Sequence, residues 1–426
     1  MAEQIGNTAM NRASSGASTH RMRALVFTSL GHFSNDGIFL LFTLLIVYYS
    51  EIGVSLVLLG ASAIFYNLVA GAVTPKIGSM VGRSDKGVYI AVGIAIAGMS
   101  VALFAASFAF HGLLYEFMFL GLTMLGIGQA FYHPIGSSVL NHVYGKESPS
   151  VLGINGAVGS IGRSVFPLFI TLSIAAYGIS TGLGTVAGAM FALAAVLWFG
   201  LRIFSQKNYM KSAQAQAGAT KGPDYAHTLK EYAGFIKAFT VVVFFKSLFM
   251  IGTETFVAKY VYNIVSSNVL VGTFLALSFV PAIFGQLVFG RFTQKYGGRA
   301  SVIVTTVLEV PAFVAFLLTH SFIYLIIFYA IFAFFAFTGF AVIFGYVGQI
   351  IPQRHVTAIG AKIWGPGNIL GGATGIIAVT LLLYAGLTLT QTMWILVAFG
   401  ALAVAVLPLL RGYGVPTSSA QLRERA

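Results

Sequence analysis

About twelve stretches of this chain are apolar for long enough to cross a bilayer, and that restricts the fold to bundled helices. In hydrocarbon every backbone N–H and C=O must be satisfied within the protein, so a chain spans either as helices or as a closed barrel. Barrel strands are short and alternate in polarity. The runs here are long and continuously apolar, over roughly 24–50, 56–77, 88–108, 113–140, 150–177, 181–204, 238–263, 268–292, 300–319, 322–349, 357–384 and 389–410. Of the 426 residues 58% are hydrophobic and 8% charged, where a soluble domain carries about a quarter charged. The expected fold class is an all-α membrane protein with twelve transmembrane helices.

The loops alternate in charge. Lys76, Arg83 and Lys86 follow the second run, Lys146 the fourth, Arg291, Lys295 and Arg299 the eighth, and Arg354 the tenth. Arg202, Lys207, Lys211, Lys221, Lys230 and Lys237 crowd the sixth gap. Arg12, Arg21 and Arg23 precede the first run, and Arg411, Arg423 and Arg425 follow the last. The gaps around Glu51, His111, Ser180, Ser266, His320 and Gly386 hold no Lys or Arg. The positive-inside rule then puts both termini in the cytoplasm of a multi-pass plasma-membrane protein. The net charge of +13 reads as this topology signal plus attraction to the lipid bilayer's anionic headgroups, and nucleic acid is not an expected partner. With no cysteine, disulfide and thiolate chemistry are excluded. Residues 1–23 are polar and read as a disordered cytoplasmic tail. The first run is too long for a secretory leader and holds His32, Asn35 and Asp36, so it reads as a retained helix.

The longest polar interval, 205–237, reads as a cytoplasmic linker between a six-helix bundle at 24–204 and another at 238–410, with 411–426 a cytoplasmic tail. Two loops echo each other at matching places. One is Gly78-Ser-Met-Val-Gly82-Arg83-Ser84-Asp85-Lys86-Gly87, and the other is Gly290-Arg-Phe-Thr-Gln294-Lys295-Tyr296-Gly297-Gly298-Arg299. Both resemble the signature loop of the major facilitator superfamily, although Gly82 and Gln294 stand where that loop has Asp. The resemblance implies two parallel six-helix bundles facing each other across a midplane cavity.

A narrower resemblance rests on three helices. Helix 1 reads Ser29-Leu-Gly-His32-Phe-Ser-Asn35-Asp36-Gly37, and helix 4 reads Gly126-Ile-Gly128-Gln-Ala-Phe131-Tyr132-His133-Pro134. Helix 5 reads Gly153-Ile-Asn-Gly156-Ala-Val-Gly159-Ser-Ile-Gly162-Arg163-Ser-Val-Phe-Pro167. Together they resemble the fosmidomycin-resistance branch of the superfamily, over roughly residues 24–175. The resemblance implies a proton-coupled antiporter for drug or metabolite efflux, without a cofactor. Ile135 and Arg163 depart from that branch's pattern, which expects an acid and a small residue there.

Loop topology accounts for twenty Lys and Arg and leaves Arg163, Lys246, Lys259 and Lys362 inside spans, together with Asp36, Glu254, Glu309 and Glu116. Intramembrane charges face cavities or partners. His32 lies four residues before Asp36 on one helix face, and the pair suits either a proton-coupling carboxylate with its imidazole or a fixed structural pairing with Arg163. Glu254 is a second candidate proton site. Asn35, His133, Arg163, Lys246 and Lys362 are candidate substrate-binding groups, a guanidinium suiting carboxylate or phosphonate recognition. Lys259 reads as a snorkelling residue near the outer end, and Glu309 as a structural hydrogen-bonding group. Gly156, Gly159, Gly162, Gly367 and Gly371 form small-residue stripes expected to act as rocking contacts between the bundles. Neither a nucleotide loop nor a metal or hydrolase signature occurs, so an enzyme is not expected and no metal site is assigned.

The expected protein is a monomeric secondary transporter exchanging protons for a small polar or amphipathic solute. Proton-coupled uptake of an organic anion, suggested by the intramembrane basic groups, and a non-transporting sensor or scaffold are the alternatives.

Overall fold

Among the described residues, twelve helices are long and apolar enough to cross a membrane. The computed structural model describes residues 2–81, 87–145, 148–202, 204, 223–352 and 355–413. The spans are α1 (Thr19–Glu51), α2 (Leu56–Ile77), α3 (Gly87–Ala109), α4 (His111–Tyr144), α5 (Ser150–Tyr177) and α6 (Ile179–Leu201), then α7 (Ala233–Val265), α8 (Asn268–Tyr296), α9 (Gly298–Leu318), α10 (Phe322–Ile350), α11 (Ala358–Tyr384) and α12 (Leu389–Leu410). Of the features read from sequence, Gly82–Lys86 of the first signature loop, Lys146, Arg354, linker residues 205–222 and tail residues 414–426 lie outside the described residues.

Two expectations change. Residues 2–18, read with the rest of the tail as disordered, continue α1 as helix from Ala2. The stretch has no proline, and extending a helix already nucleated by a span costs little. Arg23 is also tied down, donating to the carbonyls of Gly200 and Phe199 at 2.9 and 2.8 Å at the end of α6. The linker is likewise more structured than its polarity suggests. Pro223–Glu231 is a helix, and α7 follows at once. Tyr225, Thr228, Leu229 and Tyr232 recur at helical spacing. Tyr225 and Thr228 are buried, and Thr228 meets the buried His355 at 3.1 Å.

The packing order displays an internal repeat. In the first half α1 packs on α4, α5 and α6, while α2 and α3 pack on α4 and α3 also packs on α6. Adding six to every number gives the packing of the second half. Across the halves α5 meets α8 and α2 meets α11, two contacts that the same operation exchanges, and α1 meets α7.

These cross-half contacts lie toward the end of the bundle that carries Glu51. Ser164 donates to the carbonyl of Ala276 at 2.6 Å. A Cβ at Gly272 would lie 2.0 Å from Thr171 Oγ1, and one at Gly60 would lie 2.2 Å from Thr380 Oγ1. At the rim Tyr262 donates to Glu51, which also accepts from Asn268 Nδ2 at 3.1 Å. Toward the linker end, Cβ atoms at Gly71, Gly153, Gly156 and Gly365 would meet nothing within 4 Å, and Leu68, Ile154, Leu287 and Leu370 are exposed. The described residues thus form a wedge closed at the Glu51 end and open at the linker end.

The native chain has no cysteine, so paired cysteines report this geometry directly. Gly60→Cys with Thr380→Cys is expected to cross-link readily in the purified protein, and Gly71→Cys with Ile369→Cys is not. Equal cross-linking rates on a gel would contradict the wedge.

Candidate functional site

Close backbone approach assembles the polar cluster. A Cβ at Gly162 of α5 would lie 2.1 Å from the carbonyl oxygen of Phe33, and one at Gly37 of α1 would lie 2.4 Å from the Phe166 ring. Small residues let the two backbones touch, which brings Arg163 of α5 against Asp36 of α1. Immediately after Gly37 the helix tightens into a 3-10 turn at Ile38–Leu40 before resuming.

Asp36 is 3% exposed and is surrounded by donors. Arg163 Nη2 donates to Oδ2 at 2.9 Å, and His32 Nε2 lies 3.3 Å from the same oxygen. Asn35 Nδ2 donates to Oδ1 at 3.2 Å, and His133 Nε2 stands 4.0 Å from it. The side chain of His133 is 60% exposed, so the cluster has one sealed wall and one open one. His32 stacks on Tyr132 at 4.5 Å and bonds Asn155 Oδ1 through Nδ1 at 2.8 Å. Asn155 Oδ1 also accepts from the Tyr132 hydroxyl at 2.8 Å.

This orientation of Asn155 makes Nδ1 of His32 a donor. Nε2 and the carboxylate then face each other as two acceptors unless a proton lies between them, on the ring or on Asp36. The group is built to hold one proton beside a fixed guanidinium. His32, Asp36 and His133 also offer three ligand atoms within 4.8 Å of one another. Arg163 already supplies positive charge to that carboxylate, so a metal ion there would have to displace it.

Sequence reasoning brought forward His32, Asn35, Asp36, His133 and Arg163, and the structure unites all five. It passed over Asn155, which sets the His32 hydrogen bond. An amide inside an apolar helix was the available signal. Arg163 also lies 4.7 Å from the Phe39 ring and 5.9 Å from the ring of Phe337, which belongs to the other half. Its Nε is buried without a partner.

Lys246 does not join this cluster. Its ammonium pairs with Glu309 of α9, which is 0% exposed. The neighbouring Ser247 donates to Asn368 at 2.8 Å within the π-helical turn Gly365–Leu370 of α11. Glu254, on the same helix as Lys246, is 3% exposed and has neither a hydrogen bond nor an ion pair among the described residues. Lys362 is exposed near the open end, and Lys259 lies over the Tyr262 ring near the closed one.

The glycine stripes also need correction. Gly159 packs on the His32 ring and Gly162 on Phe33, while Gly367 packs on Val243 and Gly371 on the Phe244 carbonyl. They join α5 to α1 and α11 to α7 within each half, and Gly156 meets nothing. Contacts between the halves come instead from Ser164, Thr171, Gly272, Gly60 and Thr380.

The description of the Major Facilitator Superfamily matches residues 25–265. None of the curated proteins matches the chain. Solved structures that share the fold include two of a bacterial homolog of the human lysosomal transporter Spinster in an inward-facing conformation. The unoccupied form gives a TM-score of 0.69 at 14% identity, covering 93% of this chain and 97% of that one. The occupied form gives 0.66 at 15%, with the same coverage.

Breaking a buried ion pair strands a charge and costs about 3–5 kcal/mol. Lys246→Met alone is therefore expected to lower the Tm of the detergent-purified protein sharply. Combining it with Glu309→Leu should restore most of the loss, because both charges then disappear.

Proposed function

The chain belongs to the major facilitator superfamily, and from that premise we propose that it exports a small polar or amphipathic solute in exchange for protons, by alternating access. The observation that carries the reading is the sealed carboxylate of Asp36, shared between a permanent cation and an imidazole. Arg163 lies 2.9 Å and His32 3.3 Å from the Asp36 carboxylate, with room in that arrangement for one exchangeable proton. His133 stands on the open side, 4.0 Å away, and offers a path for that proton to the cavity. Glu254, facing from the second half, is the other proton-accepting group.

With the basic loops in the cytoplasm, the open end of the wedge faces inward and the Glu51 latch faces outward. A solute then enters from the cytoplasm and leaves when the wedge inverts. The driving force is sufficient in scale, since one charge crossing 100 mV is worth about 2.3 kcal/mol. The protein works as a monomer in the plasma membrane, because each chain contains both halves and the cavity between them. Uptake of an organic anion draws less support. Two of the intramembrane cations that suggested it, Arg163 and Lys246, are engaged with Asp36 and Glu309.

The test is substrate-dependent proton movement in pyranine-loaded proteoliposomes, screened against a panel of organic cations, anions and antibiotics. At least one compound is expected to move protons through the wild-type protein. Asp36→Asn should abolish gradient-driven accumulation while leaving downhill exchange of the same compound. An Asp36→Asn protein that keeps full gradient-driven transport removes this carboxylate from the coupling.

A further inference from the structure

Loop topology leaves four cations, Arg163, Lys246, Lys259 and Lys362, and counting them alone suggests a cavity for anions. Following each to its partner reverses that expectation. Arg163 is bonded to Asp36 and Lys246 to Glu309. Lys259 rests on the Tyr262 ring beside the rim acid Glu51, and Lys362 is exposed at the open mouth. Among the acids, Asp36 and Glu309 are paired inside the membrane, Glu51 is bonded at the rim, and Glu116 is exposed. One buried charge has no partner among the described residues, and it is Glu254.

Its surroundings match a ligand of opposite charge. Glu254 precedes Tyr262 by eight residues on α7, so it lies about 12 Å inward of the closed rim at 1.5 Å per residue. That is the apex of the wedge. Tyr66 of α2, Tyr329 of α10 and Arg163 of α5 lie within electrostatic range of it. Tyr66 packs edge-on to Phe42 at 5.8 Å, and Phe39 and Phe337 flank Arg163. Aromatic rings that already accept the Arg163 guanidinium can also attract a positive group by cation–π contact. A lone buried carboxylate is costly, and either a proton or a bound cation removes the cost.

The charge sum links this acid to the proton. With a proton on the His32–Asp36 pair, Arg163 and the added proton balance Asp36 and Glu254. Without it the four groups sum to minus one, and a monovalent cation restores neutrality. Arg163 Nε supplies a free hydrogen-bond donor but no unbalanced charge. Resting on the transport reading above, we infer that the solute taken into this cavity is an amphipathic organic cation, its charged centre held against Glu254 and its apolar body among Tyr66, Phe39 and Phe337.

Tetraphenylphosphonium and tetraphenylborate are nearly identical in size and surface and opposite in charge, which makes them the deciding probes. Binding to the detergent-purified full-length protein is measured by equilibrium dialysis, with no gradient present. The phosphonium is expected to bind saturably, and the borate is not. Glu254→Gln should weaken phosphonium binding at least tenfold, and Glu254→Asp should retain most of it, which guards against a variant that merely misfolds. Saturable borate binding equal to or tighter than the phosphonium's overturns the inference. So does absence of phosphonium binding, or a Glu254→Gln affinity within twofold of wild type. The proton-coupled reading fails separately, through wild-type protein that binds phosphonium yet moves no proton in proteoliposomes. That result leaves the cation site standing.

Discussion

The structure depends on one constraint: a charge inside the membrane must find its counter-charge inside the protein. Asp36 finds Arg163 where α1 meets α5, and Lys246 finds Glu309 where α7 meets α9. Both pairs join helices of the same half. Breaking either costs about 3–5 kcal/mol. The described contacts between the halves are of another kind: a hydroxyl to a carbonyl at Ser164–Ala276, small-residue packing at Gly272 and Gly60, and at the rim the hydrogen bonds of Tyr262 and Asn268 to Glu51. A neutral hydrogen bond is worth about 0.5–1.5 kcal/mol net, and one to a charged group about 1.5–3 kcal/mol. The weaker seam is therefore between the halves, and motion is cheapest where each six-helix half moves as a unit. The glycines of α5 and α11 strengthen the same division by locking helices within each half.

Helix interruptions follow the polar groups. The 3-10 turn at Ile38–Leu40 comes directly after Asp36, and the break in α10 lies at Phe337–Thr338, where Phe337 faces Arg163. The π-helical turn of α11 presents Asn368 to Ser247. Irregular backbone within a membrane is tolerated where protein or water meets its freed polar groups. Three interruptions on three helices thus lie beside polar contacts of the interior, and broken helices at the midplane are where transporters of this kind bind their solutes.

Most of the architecture was legible in the sequence because lipid leaves few options. Twelve apolar runs and a central polar interval were sufficient for twelve helices and the six-plus-six repeat. The helical spacing of His32 and Asp36 and the isolated Arg163 marked the cluster before any geometry was known. Partnerships between distant helices were not legible. Nothing in the sequence couples Lys246 to Glu309, sixty-three residues away, and nothing distinguishes Glu254, which has no partner among the described residues. Gly162 and Gly371 showed that backbones approach closely, but not which helix approaches. The linker helix was obscured by its polar neighbours, since its apolar face is only Tyr225, Leu229 and Tyr232 with Thr228.

Pairing, more than composition, decides what such a cavity accepts. The four intramembrane basic groups taken alone point to an anion, although four acids share the spans with them. Subtracting every buried charge already paired with a neighbour leaves the Glu254 carboxylate, and a cation follows from the remainder. The subtraction also gives the proton and the inferred cation a reason to alternate. Each brings the same unit of positive charge to groups that sum to zero with one of them present and to minus one with neither. Holding both would leave an uncompensated positive charge in a low-dielectric interior, which is unfavourable. Mutual exclusion of this kind needs no direct contact between the two ligands; it needs Asp36 and Glu254 to share one electrostatic balance through Arg163.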